Sequence, residues 1–315
     1  MKTVRAYFVI IAVVIGCVVS AVSLARTTGD QAQSQKNESP VKPTILILDP
    51  NKPTVSNPPS ATSAAFAEAA AKNGAFRNQL AWTFGGKQQR GWYLYDLLLQ
   101  ETVQSSSSTG TSDFAAALST WQEKRGLSPE GILDEDLFMA MVAYWQSNRL
   151  KNRSPATADQ LVTAPSSEFY DPERDAELRQ VERSTYEAYK RMLAAAIADP
   201  TLKLDHDGDQ LAPTEQFFKI ISAHRSREYQ EKLRRESPHA GSAGLAVNSP
   251  HFTGRALDIY VGGDPVDTRD SNRAIQVNTP VYQWLVRNAE RFGFRPYFYE
   301  PWHWEYVGGA AKENK

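Results

Sequence analysis

The chain has 315 residues, enough for two ordinary domains. Its 35 basic and 36 acidic residues nearly cancel, and no basic stripe stands out, so nothing in the charge points to nucleic acid. The single cysteine, Cys17, excludes an intramolecular disulfide and leaves any metal site to histidine and carboxylate.

Lys2 and Arg5 precede an apolar run from Ala6 to Ala25, which reads as an export signal or a membrane anchor over residues 1–25. Ser23-Leu24-Ala25 offers a cleavage site for an ordinary signal, and Val14-Ile15-Gly16-Cys17 resembles a lipobox. The apolar run continues past Cys17, which favours an uncleaved anchor or ordinary signal over a lipoprotein. Residues 26–75 are rich in Ser, Thr, Pro, Gln, Asn and Ala and read as a flexible spacer.

Residues 76–150 read as a small all-α domain of three helices. One helix runs through Trp92-Tyr93-Leu94-Tyr95-Asp96-Leu97-Leu98-Leu99. A second, capped by Asp113, carries Phe114, Leu118 and Trp121, and a third carries Leu137, Phe138, Met141 and Trp145. Residues 151–168 read as a polar linker. Asp171-Pro172-Glu173 is expected to open a helix whose apolar face uses Leu178, Val181, Tyr189, Met192 and Leu193. Asp205-His206-Asp207-Gly208-Asp209 is too irregular for a calcium loop, because Gln210 takes the place of its glycine. Strands are expected over 217–221 and 255–261 and in the aromatic stretch 294–307, with helices over 226–235 and from Thr279-Pro280 to Gly293. Residues 169–310 therefore read as an α+β domain with a small antiparallel sheet flanked by helices.

Two segments of that domain carry chemistry, Ser249-Pro250-His251-Phe252-Thr253-Gly254-Arg255-Ala256-Leu257-Asp258 and Glu300-Pro301-Trp302-His303-Trp304-Glu305-Tyr306. Two imidazoles and a carboxylate with a fourth position open describe a hydrolytic zinc site. A further carboxylate beside that position supplies a proton acceptor. Glu300 stands three residues before His303, a spacing that puts the two on opposite faces of a strand, so a break at Pro301 is required if both serve one site.

The two segments resemble the signature of the VanY-type carboxypeptidases, zinc peptidases related to D-Ala-D-Ala dipeptidases and Hedgehog-like domains. Ile220-Ile221-Ser222-Ala223-His224-Arg225-Ser226, followed by Tyr229-Gln230, is similar to the strand-turn-helix that precedes the metal motif in that family. The resemblance covers most of residues 170–308. It implies zinc on His251, Asp258 and His303, with Glu300 as the base acting on a water at the zinc. It also implies substrate binding by Arg225, Gln230 and Ser249. Ala223-His224 departs from the Gly-Tyr that relatives often carry before the arginine, which bears on the pocket rather than the metal. Phe114 to Leu137 resembles the three-helix peptidoglycan-binding domain found beside cell-wall hydrolases, although any three-helix bundle shows the same pattern. The combined expectation is an exported or anchored cell-envelope carboxypeptidase that removes D-alanine from peptidoglycan stem peptides. An endopeptidase with the same zinc site and a non-catalytic wall-binding protein are the alternatives.

Overall fold

The computed structural model describes residues 63–236 and 248–308. The apolar run, Cys17, most of the spacer and His239 lie outside these residues. No helix among the described residues is long and apolar enough to cross a membrane.

The N-terminal part is helical, but it is not purely so. Helix α1 spans Ala67–Gln79 and so begins within the stretch read as spacer. A hairpin follows, β1 over Ala81–Phe84 and β2 over Lys87–Arg90, in antiparallel register. Gly85 and Gly86 turn it at φ 58° and 76°, a region that glycine enters without steric cost. The polar sequence of β2 has no apolar alternation, which is why sequence patterning does not reveal it. Helices α2 (Asp96–Val103), α3 (Ser112–Glu123) and α4 (Glu135–Ser147) complete this part. The cap of α3 is Thr111, whose side chain accepts from the Phe114 amide at 3.3 Å, so Asp113 sits in the first turn instead of capping it. Asp134 caps α4 through the Leu137 amide.

The stretch 151–168 contains strand β3, Leu161–Thr163, paired antiparallel with β4, Gln180–Glu182. Helix α5 therefore starts at Arg183 and runs to Ile197, later than Asp171-Pro172 suggested. Asp171 closes a local turn by accepting from the Glu173 amide at 3.0 Å. The cap is Glu182, which accepts from the Thr185 amide at 2.8 Å. Tyr189, Met192 and Leu193 are buried on α5, while Leu178 and Val181 precede the helix. The acidic stretch near His206 is a hairpin, β5 (His206–Asp207) with β6 (Gln210–Leu211), and Gly208 turns it at φ 63°.

Strands β7 (Ile220–Ser222), β8 (Ala256–Ile259), β9 (Phe294–Pro296) and β10 (His303–Tyr306) form one antiparallel sheet in the order β7-β8-β10-β9. Helix α6 (Arg227–Glu236) follows β7, and α7 (Asp270–Val277) and α8 (Pro280–Asn288) lie between β8 and β9. Thr279 caps α8 with proline at the first position, as its sequence predicts. The α+β expectation holds for this part. One core lies against the sheet and includes Tyr189, Ile220, Leu257, Ile259, Leu285 and Trp304.

A second core fills the helical part with Trp82, Trp92, Phe114, Leu118, Phe138 and Met141. Tyr297, Phe298 and Tyr299, from the connection between β9 and β10, belong to this second core. Phe298 meets Phe84 edge-on with ring centroids 4.8 Å apart and lies 5.4 Å from Tyr95. Burying each such ring contributes about 1.5–3 kcal/mol. The connection that leads into His303 is thus anchored in the helical part. The segment between the two parts is also tied down, with the Ala156 amide donating to the Phe252 carbonyl at 2.8 Å.

Candidate metal centre

His251 sits in a single 3-10 turn, Pro250–Thr253. Ser249 caps that turn, its hydroxyl accepting from the His251 amide at 3.3 Å. Gly254 ends it at φ 65°. A Cβ at Gly254 would lie 2.8 Å from the Glu182 amide nitrogen, so only glycine fits this approach of backbone to backbone. The turn aims the imidazole at Ala223, whose carbonyl lies 2.6 Å from Nδ1. A carbonyl only accepts, so Nδ1 carries the proton and Nε2 presents its lone pair.

Asp258 and His303 arise from strand pairing. They stand directly opposite one another on β8 and β10, and directly opposed residues share a face of the sheet. Asp258 Oδ1 lies 2.9 Å from His303 Nδ1 and 3.3 Å from His251 Nε2. The three ligand atoms all fall within 4.8 Å of one another, and all three residues are buried. The 3.3 Å separation is close to the ~3.4 Å edge of a tetrahedron with ~2.1 Å metal–ligand bonds, and the 2.9 Å one is a hydrogen-bond distance.

Glu300 reaches the same place. A turn closes from Tyr297 to His303, the Glu300 amide donating to the Tyr297 carbonyl and the His303 amide to the Glu300 carbonyl, at 3.1 and 2.9 Å. Pro301 lies inside this turn, which is the break that the spacing required. Glu300 Oε2 stands 4.0 Å from His303 Nδ1, and Oε1 is buried without a hydrogen-bond partner among the described residues.

Burial governs the charges here. It pushes the Glu300 carboxyl up to about 7, with the Asp258 charge reinforcing it and His303 opposing. It pushes His251 down to about 4, with Arg225 adding to the effect. For Asp258 burial acts upward, but His251, His303 and Arg225 together hold the carboxyl well below its usual range. His303 is the reverse case, because its bonds to Asp258 and Glu305 outweigh burial and raise it to about 9. The protein has therefore gathered three buried carboxylates, Asp258, Glu300 and Glu305, around two imidazoles. Buried charge of this kind is stable only when paired or ligating. Two neutral-capable imidazole nitrogens, one carboxylate and an unpartnered carboxylate oxygen beside them are the donor set of a metal site with an open position, and they fit zinc.

The three residues expected at the substrate differ in position. Arg225 donates from Nη2 to Asp258 Oδ2 at 2.7 Å and from Nε to Ser222 at 2.9 Å, and Nη1 points at Gln230 Oε1, 3.4 Å away. Gln230 is buried beside it on α6. Ser249 is buried and its hydroxyl serves the His251 turn. His224 is half-buried, and burial lowers its pKa. His206 is exposed in its hairpin.

Neither Glu305 nor Arg149 stands out in the sequence as a site residue. Glu305 Oε1 lies 3.2 Å from His303 Nε2, and Arg149 Nη2 donates to the same oxygen at 2.5 Å. The signal for Glu305 was present, since two residues apart on a strand means one face. Arg149 lies 156 positions away and gives no local signal.

Residues 179–309 match the family model described as VanY: D-alanyl-D-alanine carboxypeptidase. No curated protein matches the chain. Among solved structures, the LdcB LD-carboxypeptidase is 24% identical with a TM-score of 0.34, over 51% of this chain and 72% of that one. A variant of the vancomycin-resistance D,D-pentapeptidase VanY from a VanB-type cassette, in complex with Zn(II), is 21% identical with a TM-score of 0.31, over 52% and 89%. VanYB in complex with D-alanine-D-alanine is 23% identical with a TM-score of 0.31, over 52% and 87%. The family match covers all three ligand candidates, Glu300 and Arg225, so the part of the chain that carries the candidate metal centre is similar to the VanY family of D-alanyl-D-alanine carboxypeptidases.

Proposed function

We propose that this protein is a zinc-dependent carboxypeptidase that removes the C-terminal D-alanine of peptidoglycan stem peptides. The observation that carries the proposal is the buried group His251, Asp258 and His303 with the unpartnered Glu300 oxygen beside it. His251, Asp258 and His303 would hold the metal. A bound zinc ion supplies a Lewis acid for the scissile carbonyl and lowers the pKa of water.

The chain's own residues supply the rest. Glu300 takes a proton from the attacking water and delivers one to the leaving amine as the C–N bond breaks. A carboxyl held near 7 by burial suits both steps, because it is neither a strong acid nor permanently protonated. Arg225 offers Nη1 to the terminal carboxylate, while Nε and Nη2 stay fixed on Ser222 and Asp258. Gln230 borders that position. Ser249 acts through His251 by capping its turn. Hydrolysis of cell-wall peptides places the domain outside the cytoplasm, in keeping with the export or anchor reading of residues 1–25.

The test is digestion of defined muropeptides with product masses read with and without chelator. Release of free D-alanine supports the carboxypeptidase reading, and cleavage within cross-links would move the assignment to endopeptidase.

A further inference from the structure

Helix α4 ends at Ser147, and the chain leaves it through Asn148, Arg149 and Leu150. Both oxygens of Glu305 are held by this exit segment. Arg149 donates to Oε1 from Nη2 and Nε at 2.5 and 3.2 Å, and the Leu150 amide donates to Oε2 at 2.9 Å. Arg149 is itself fixed, with Nη1 on Gln146 Oε1 at 2.9 Å and its guanidinium 3.8 Å over the ring of Tyr297. Glu305 is fully buried, and its Oε1 lies 3.2 Å from Nε2 of His303. The opposite nitrogen, Nδ1, is the one that faces Asp258 and Glu300.

From this chain of contacts we infer that the exit segment of the helical part orients a metal ligand. Arg149 and the Leu150 amide hold Glu305, and Glu305 holds the His303 ring so that Nδ1 points into the metal centre. The two are positioning residues that act through His303. A carboxylate that accepts from the far nitrogen of a ligating imidazole fixes its tautomer and raises its basicity, and losing such a partner lowers metal affinity about 10- to 100-fold. The helical part is then a working component of the metal centre, whatever else it binds. The inference rests on the zinc reading of His251, Asp258 and His303.

The test compares zinc affinity, by competition with a chromophoric chelator, and melting of the metal-free protein across full-length variants. Arg149→Met/Glu305→Leu removes both charges together, so no buried charge is left unpaired. Glu305→Gln keeps the shape of the side chain and guards against misfolding of the double variant. Arg77→Met is the control, because it breaks a helical-part ion pair with Asp96 that does not touch the centre. The double variant is expected to bind zinc at least tenfold more weakly, Glu305→Gln at least fivefold more weakly, and Arg77→Met like the wild type. Wild-type affinity in either folded Glu305 variant would overturn the inference. A wild-type protein that takes up no zinc would instead bring down the metal reading, and this inference with it.

Discussion

Glu300 is the residue on which the proposed chemistry turns. It is buried, and one of its oxygens has no hydrogen-bond partner among the described residues. Glu300→Gln should keep the metal, since His251, Asp258 and His303 are untouched, and should lower turnover at least 100-fold. Metal content and muropeptide hydrolysis measured on one preparation check this. The residues of the site differed in how far the sequence exposed them. His251, Asp258, His303 and Glu300 were legible because their types and spacing describe a donor set, and the structure brings all four together. Ser249 was legible as a neighbour but not as a cap, because its role depends on the 3-10 turn after it. Glu305 passed as one more polar residue of an aromatic strand. Its partner Arg149 is brought to it only by folding.

The elements that place the site are a turn and a pair of strands. Gly254 must adopt φ 65° while the Glu182 amide approaches its Cα and donates to its carbonyl at 3.0 Å. Gly254→Ala adds both backbone strain and a clash, and should cost about 2 kcal/mol or more, read as a lower denaturant midpoint. Thr279 caps α8 by accepting from the Tyr282 amide, and its hydroxyl also donates to the Val261 carbonyl at 2.7 Å. Thr279→Ala should cost about 1 kcal/mol in the same measurement. The type of most elements was legible from periodicity and caps. Their starts were less so, and α5 shows why. Asp171-Pro172 carries good helix-start chemistry, but β4 must first pair with β3, and that pairing defers the helix to Arg183. A tertiary contact decided between two local options.

At the scale of the molecule, the aromatic connection Tyr297-Phe298-Tyr299 joins the two cores. Phe298 contacts Phe84, Tyr95 and Trp145 of the helical part. The turn that carries Glu300 follows directly. Phe298→Ala should destabilise the protein by about 3–5 kcal/mol and loosen the Glu300 turn, seen as a lower melting temperature together with weaker zinc binding. Composition places a polar stretch, residues 151–168, between the helical and α+β parts. The long-range contacts of Arg149, Tyr95 and Phe298 were not visible in composition, because each pairs residues more than a hundred positions apart.

The proposed reaction is zinc-dependent release of D-alanine. Its most direct test is mass spectrometry of a defined pentapeptide muropeptide incubated with the full-length protein, with chelator, and with zinc restored after chelation. The expected result is a product shorter by one alanine together with free D-alanine, both lost in chelator and recovered with zinc. Undiminished hydrolysis in chelator, or cross-link cleavage without free alanine, would contradict it.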